Sequence, residues 1–100
     1  MAWLKAFKIT RPNTDTSFWT TPDDVKAHIK SNYEDNGKCI SFGIKYSEDK
    51  LSLTKSRVFN TKSDRDEWEA DSTILTNRTA LKSYYSDNSC SILKVNDEDI

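Results

Sequence analysis

The order of hydrophobic patterns along the chain constrains its fold more than any other feature. Within 100 residues the patterns read strand, helix, strand, strand, helix, strand. The segments are a strand from Trp3 to Ile9, a helix that starts near Pro22, two strands between Cys39 and Phe59, a helical region from Asp64 to Tyr85, and a last strand from Cys90 to Val95. This order limits the chain to a few α+β topologies.

The βαββαβ order is typical of the ferredoxin-like fold. It predicts a four-stranded antiparallel sheet with two helices on one face. We expect one such domain over residues 1–95, followed by an acidic C-terminal tail over 96–100 that frays.

The first strand is apolar on both of its faces. One face carries Trp3, Phe7 and Ile9, and the other carries Leu4 and Ala6. Since the two helices cover only one side of the sheet, something else should cover the other. We therefore expect a homodimer that forms through the open sheet face.

Composition and charge exclude several classes of partner. The chain has 15 basic and 16 acidic residues, interspersed, so no global field favours a nucleic acid or an anionic membrane. No apolar run is long enough to span a bilayer, and the N-terminus lacks the apolar core of a signal peptide. We expect a cytoplasmic protein, and the abundance of Asn, Asp, Lys and Ser fits a phage- or virus-encoded one.

Nucleic-acid binding deserves a separate test, because RNA-recognition domains share this strand order. Those domains need aromatic residues on the third strand. The segment from Leu51 to Phe59 has a single aromatic residue, at its end. The basic excess between Lys45 and Arg65 is more typical of a solvated face, so nucleic acid is disfavoured as a partner.

The two cysteines do not predict a disulfide or a metal site. Cys39 and Cys90 begin the second and last strands, which form opposite edges of a ferredoxin-like sheet, too far apart for a disulfide. Together with one histidine they are too few ligands for zinc. We expect reduced thiols, no metal and no cofactor.

Two helix starts can be read from capping residues. Thr21 is placed to cap the first helix, with Pro22 at its first position. In the second helical region, Asp71 marks a restart or a kink. Trp68 stands in an otherwise charged segment, so it needs a packing reason and should be at least half buried.

The third predicted strand changes character along its length. Lys55 and Arg57 fall on the same parity as Leu51 and Leu53. Either a β-bulge shifts the register there or the end of the strand leaves the core, and the pattern does not decide between them.

A polar face on the middle strands is the place where we would look for a ligand. If the apolar residues of the second strand face the helices, then Ser41 and Lys45 lie on the open face beside Thr54 and Ser56. This face could line a cavity between two subunits, or it could be ordinary wetted sheet surface. Trp19 lies in a long loop that either caps the core, covers a pocket or contacts a second subunit. Our candidate ligand-lining residues are Ser41, Lys45, Thr54, Ser56 and Trp19.

The second half of the chain resembles the dimeric α+β barrel superfamily, which includes small proteins similar to antibiotic biosynthesis monooxygenases. The resemblance lies in a strand that ends in Val58-Phe59-Asn60-Thr61, a W-x-x-D pattern at Trp68 and Asp71, Asn77-Arg78, and Tyr84-Tyr85. It covers about a third of the chain. It implies a ferredoxin-like subunit that pairs sheet to sheet, and it transfers no catalytic residue.

The chemical candidates in the sequence are few. His28 is the only histidine, and it lies at the edge of the apolar stripe of the first helix. Arg78, Tyr84 and Tyr85 are the other groups that could handle protons or negative charge. We expect no closed pocket that joins such a group to an apolar chamber, and we assign no catalytic residue.

We therefore favour a small non-catalytic binding or accessory protein with a small-molecule or protein partner. The alternative is an enzyme similar to a cofactor-independent monooxygenase or isomerase. Its cavity would lie between sheet and helices or between subunits.

Overall fold

The computed structural model describes all residues from Met1 to Ile100 and has the predicted order of elements. These elements are β1 (Trp3–Thr10), α1 (Asp23–Ile29), a π-helical segment (Lys30–Glu34), β2 (Cys39–Tyr46), β3 (Ser52–Phe59), α2 (Lys62–Ala70), α3 (Ser72–Asp87) and β4 (Ser91–Asp99). No helix is long and apolar enough to cross a membrane.

The strands form one antiparallel sheet of order β2-β3-β1-β4. This confirms the ferredoxin-like α+β fold. β1 and β3 are the central strands, and β2 and β4 are the edges. Cys39 on β2 and Cys90, just before β4, are free thiols at opposite edges of the sheet.

The helix starts follow the capping chemistry in two of three cases. The Thr61 hydroxyl accepts the amide of Asp64 at 3.1 Å and starts α2. The Asp71 carboxylate accepts the amides of Thr73 and Ile74 and starts α3, so the predicted restart is confirmed. Thr21 does not cap α1, because Pro22 occupies the capping position and no side chain caps that helix.

The last strand is longer than predicted. Residues 96–99 do not fray, because they continue β4 and pair with the first residues of β1. The pairing includes Asp97 opposite Lys5 and Asp99 opposite Trp3. A register shift between Ala6 and Phe7 lets β4 continue past that point.

The register of β3 resolves the question about Lys55 and Arg57. The pairing of β1 with β3 is continuous from Trp3–Phe59 to Thr10–Ser52, so β3 has no bulge. The strand also stays in the core, since Phe59 at its end is fully buried. Neither predicted explanation holds: the two basic residues remain on the side that faces the helices.

The hydrophobic core is split into two clusters. The larger joins all three α-helices and the π-helical segment to one end of the sheet: Val25, Ile29, Tyr33, Cys39, Phe59, Trp68 and Ile74. The smaller consists of Ile9, Leu53 and Tyr85 at the other end, with Phe18 and Trp19 packed against it. Trp68 is 8% exposed, which confirms its predicted burial. The loop that contains Phe18 and Trp19 therefore contributes to the core, which agrees with the interpretation that this loop caps the core.

Candidate functional site

A cavity of about 480 Å³ lies between the helices and the sheet. The cavity joins titratable groups to an apolar wall but is partly open to solvent, so the expectation that no closed pocket does so is not overturned by it. The apolar part of its wall includes Phe7, Ile29, Phe42, Trp68, Ile74, Leu81 and Ile92. Its basic part consists of Lys5, Lys55, Arg57, Arg65, Arg78, Lys82 and Lys94, and its acidic part of Glu69 and Asp97.

Strand alternation places the basic groups on the floor of the cavity. Lys5 lies between Trp3 and Phe7 on the helix-facing side of β1, and it pairs directly with Arg57 on β3. Lys55 pairs with Phe7 in the same register. Like charges on directly opposed residues are unfavourable in a sheet, so the middle of this face is not built for stability.

Glu69 on α2 is shared by two cations. Its carboxylate contacts the Lys5 ammonium and accepts a hydrogen bond from the Arg78 guanidinium at 2.7 Å. Burial, followed by the charge of Arg78, lowers the pKa of Lys5 to about 8. Burial also lowers the pKa of Arg78. Glu69 acts in the opposite direction on Lys5, because a carboxylate in contact stabilises the ammonium form.

Asp97 on β4 forms the fully compensated part of the wall. Its Oδ1 accepts hydrogen bonds from Arg65 Nε at 2.9 Å and from the Trp3 indole at 2.7 Å. The hydrogen bonds from Arg65 hold the pKa of the Asp97 carboxyl well below its usual range, although burial opposes the effect. This pair ties α2 to the end of β4.

Lys55 differs from the other buried cations. It forms none of the ion pairs and side-chain hydrogen bonds found in the chain. Burial, and then the charge of Arg57, lowers its pKa. A cation in a partly buried place without a counter-charge is costly, and this makes Lys55 the most informative side chain of the cavity.

Arg57 has mainly aromatic partners. Its guanidinium lies 4.2 Å from the centre of the Phe42 ring and 4.7 Å from that of Trp68. Its ion pair with Glu34 is long, at 3.5 Å. These contacts fix the position of the guanidinium and leave its charge incompletely balanced.

The four ligand-lining residues predicted on β2 and β3, three hydroxyl-bearing residues and Lys45, lie on the other side of the sheet. The β2–β3 register pairs Lys45 with Thr54 and places Ser41 and Ser56 nearby on the same open face. The structure thus brings these four together, but away from the cavity. Trp19 is not with them: its indole donates a hydrogen bond to Asn77 at 3.2 Å and its ring packs on Tyr84 in the helix layer.

His28, Tyr84 and Tyr85 lie outside the cavity. His28 Nε2 is 2.7 Å from the Asp71 carboxylate, which also accepts the Tyr33 hydroxyl at 2.6 Å. Tyr84 donates to the carbonyl of Ser17, and Tyr85 accepts the backbone amide of Trp19. No group of three or more His, Cys, Asp and Glu side chains is placed to hold a metal ion.

Sequence reasoning therefore identified Arg78 as a candidate but missed Lys5, Lys55 and Glu69. A signal was available for the two lysines. On two strands that pair in this fold, basic residues stand between apolar residues of the same parity: Trp3-x-Lys5-x-Phe7 and Leu53-x-Lys55-x-Arg57-x-Phe59. Charges on the core-facing parity of neighbouring strands indicate a cavity.

Comparisons with known proteins find similar solved structures but no similar sequence family. The sequence matches no protein-family model and no curated protein. Among solved structures, the protein Rv0793 from Mycobacterium tuberculosis is 12% identical with a TM-score of 0.59, over 98% of this chain and 97% of that one. A proposed antibiotic biosynthesis monooxygenase from Caulobacter crescentus is 6% identical with a TM-score of 0.58, over 98% and 92%. A second, from Nitrosomonas europaea, is 15% identical with a TM-score of 0.50, over 95% and 88%.

These likenesses confirm, at the level of the fold, the resemblance to proteins similar to antibiotic biosynthesis monooxygenases. They also correct the functional prediction. The interpretation as a small non-catalytic binding or accessory protein is wrong, because two structures that share nearly the whole fold are proposed monooxygenases.

Proposed function

We propose that the protein is an oxygenase that needs no bound cofactor and that its reaction takes place in the cavity between sheet and helices. The observation that carries the proposal is the cavity of about 480 Å³, in which Lys5 and Arg78 meet an apolar wall. Such a site places an organic substrate against an apolar wall and offers a base and a cation at one place. The shared fold with proposed monooxygenases supports the same conclusion.

The first step is the removal of a proton from a carbon next to a carbonyl group of an aromatic substrate. The neutral amine of Lys5 takes the proton, and the C–H electron pair moves onto the carbonyl oxygen. The Arg78 guanidinium opposes the negative charge of this enolate. Glu69 contacts both cations and so positions them and stabilises the lysine ammonium that forms.

The second step joins the enolate to molecular oxygen. The carbanionic carbon forms a C–O bond with O₂, and the Lys5 ammonium returns its proton to the peroxide. Loss of water from the hydroperoxide then leaves a new carbonyl. The balance is CH₂ + O₂ → C=O + H₂O, so the substrate supplies all the electrons. An isomerase would use the same enolate but would return the proton to another carbon without consuming O₂.

Oxygen uptake tests the proposal. Readily enolised aromatic ketones of one to three rings are supplied, and uptake is followed with an electrode while ¹⁸O₂ labels the product. Lys5→Met should lower turnover about 100-fold or more, since a positioned base contributes that much. Lys26→Met is the control, because Lys26 is an exposed lysine on α1, outside the cavity and away from the open sheet face. If none of these ketones supports oxygen uptake and none is isomerised, that result would contradict the proposal.

The pH dependence gives a second test of the role of Lys5. The base must be neutral, and its pKa is about 8. The rate should therefore rise as the pH increases through about 8 and level off above it. An equally steep rise in the residual activity of Lys5→Met would assign the titration to another group.

We also propose that the open sheet face forms a homodimer. This face carries Leu4 and Val58 beside the small hydroxyl residues of β2 and β3, including Ser41 and Ser56. Sedimentation should give twice the monomer mass of 11.5 kDa. A monomer at micromolar concentration would rule the assembly out, since a stable interface buries at least about 1,000 Å².

A further inference from the structure

We infer that the ligand of the cavity carries a permanently ionised acid group, a carboxylate or a phosphate, that binds at Lys55. The inference rests on the proposed function, because it names the substrate class of the same cavity. It places the acid-binding end of the substrate at Lys55 and the reacting end at Lys5 and Arg78.

The first observation is that the cavity has an excess of positive charge. Arg65 is matched by Asp97, which is 10% exposed and accepts two hydrogen bonds from it. Lys5 and Arg78 have one carboxylate between them, that of Glu69. Lys55 has none. The interior therefore holds more positive than negative charge even before the rim lysines, Lys82 and Lys94, are counted.

The position of Lys55 carries the second step. It lies in the middle of a central strand, with Phe7 beside it on β1 and Ile44 beside it on β2. A lysine at such a place could be replaced by an apolar residue that packs better. Its nitrogen is not sealed off, because no side-chain nitrogen or oxygen is both fully buried and without a partner. The ammonium is thus available to a ligand inside the cavity.

The spacing between the two ends carries the third step. Lys5 is opposite Arg57, and Lys55 is two residues farther along β3, so Lys5 and Lys55 occupy diagonal positions across a strand pair. The Cα atoms of such positions are about 7–8 Å apart. This is close to the length of two fused aromatic rings, and the cavity between these positions is lined by aromatic side chains such as Phe7. The ligand that fits is a planar aromatic acid.

Calorimetric titration with paired probes tests the inference. The probes are 2-naphthoate and the uncharged 2-naphthamide, with benzoate and 2-anthroate and their amides as shorter and longer pairs. The acid should bind about tenfold or more tightly than its amide, as expected for a charge-assisted contact. Lys55→Met should remove this preference and leave the amide affinity unchanged. A titration with 2-naphthyl phosphate shows whether carboxylate or phosphate is preferred.

Lys45→Met is the control, since Lys45 carries the same charge on the open face of the neighbouring strand. An equal loss in Lys45→Met and Lys55→Met would overturn the inference, and so would the absence of any acid preference across the three pairs. Oxygen uptake from uncharged ketones without an acid preference would leave the proposed function standing and reject the acid site. Tight acid binding without turnover of any ketone would support the acid site and reject the proposed function.

Discussion

The helix-facing side of β1 and β3 contains two regions built from the same strands on opposite physical principles. At one end, Phe59 packs against Trp68 with ring centres 5.4 Å apart, and Trp68 meets the edge of Tyr33 at 4.9 Å. In the middle, Lys5 lies opposite Arg57, and Lys55 has no counter-charge. The first region buries apolar area and stabilises the fold. The second gathers like charges, which costs stability.

The comparison shows what strand parity can and cannot reveal. Alternation tells which side of a sheet a residue faces, and the same parity leads here to a closed aromatic cluster and to an open cavity. Whether the space above a residue is filled depends on where the helices lie. A region that opposes stability so directly is best explained by binding or catalysis.

The largest expected effect lies in the aromatic cluster. Trp68→Ala should lower the free energy of unfolding by about 3–5 kcal/mol, because a buried aromatic ring is replaced by a cavity. Chemical denaturation measures the loss. Trp68→Phe, which keeps an aromatic ring there, should cost clearly less. A loss below about 1 kcal/mol for Trp68→Ala would remove the contrast between the two regions.

The next largest effect is expected at Asp71, which links the aromatic cluster to the break between α2 and α3. Asp71 starts α3 and also accepts the Tyr33 hydroxyl and the His28 ring. Asp71→Ala should cost about 2–4 kcal/mol, from the lost cap and from a buried tyrosine hydroxyl without a partner. Denaturation at neutral pH measures this cost. Asp71→Asn, which can still cap the helix, should lose less than the alanine variant.

Asp71 also predicts the behaviour of the cluster in acid. Burial would raise the pKa of its carboxyl, but hydrogen bonds from Tyr33, His28 and two backbone amides outweigh burial and lower it. Its contribution to stability is thus complete above its unfolded value of 3.8 and is lost as the pH falls through the lower folded value. The stability difference between the wild type and Asp71→Asn should shrink in that range. A difference that stays constant to lower pH would refute the role of the charged form.

Much of the fold could be predicted from the sequence, and the reasons are local. The cap at Asp71 and the isolated Trp68 point to their observed structures through short-range chemistry. The period-2 pattern of Ile40 to Tyr46 predicts a strand, but a register shift interrupts it near Ile40, and its apolar side chains are largely exposed at the sheet edge. The cavity could not be predicted in this way. Lys5 and Lys55 look like surface residues along the chain, and only the pairing of β1 with β3 brings them together under the helices.

Asp97 illustrates the same limit at the C-terminus. It stands in a short acidic run that is typical of a frayed tail. Its partners, Arg65 and Trp3, are 32 and 94 residues away in sequence. The strand continues because these distant groups compensate its charge, and no local pattern carries that information.

A smaller effect concerns the cationic region at alkaline pH. The folded pKa of Lys5, about 8, is below its ordinary value of 10.5. The unfolded chain therefore holds more protons than the folded one between these two pH values, and the stability of the folded state should rise with pH across that window. Other groups titrate there too, so the measurement is the difference between the wild type and Lys5→Met. A difference that does not change from pH 8 to 10.5 would show that Glu69 keeps Lys5 charged.

The smallest expected effect is the sharpest test of the comparison. Lys55→Met replaces a charge that has no partner with an apolar side chain of similar length. The free energy of unfolding should stay the same or rise by up to about 1 kcal/mol, because a desolvation cost is removed and no ion pair or hydrogen bond of the side chain is lost. Denaturation of the wild type, Lys55→Met and Lys26→Met under one condition measures it, with Lys26, an exposed lysine on α1, as the solvated reference. A loss of more than about 1 kcal/mol in Lys55→Met alone would mean that Lys55 supports the fold. In that case the middle of the sheet would be a second structural region, and the contrast with the aromatic cluster would disappear.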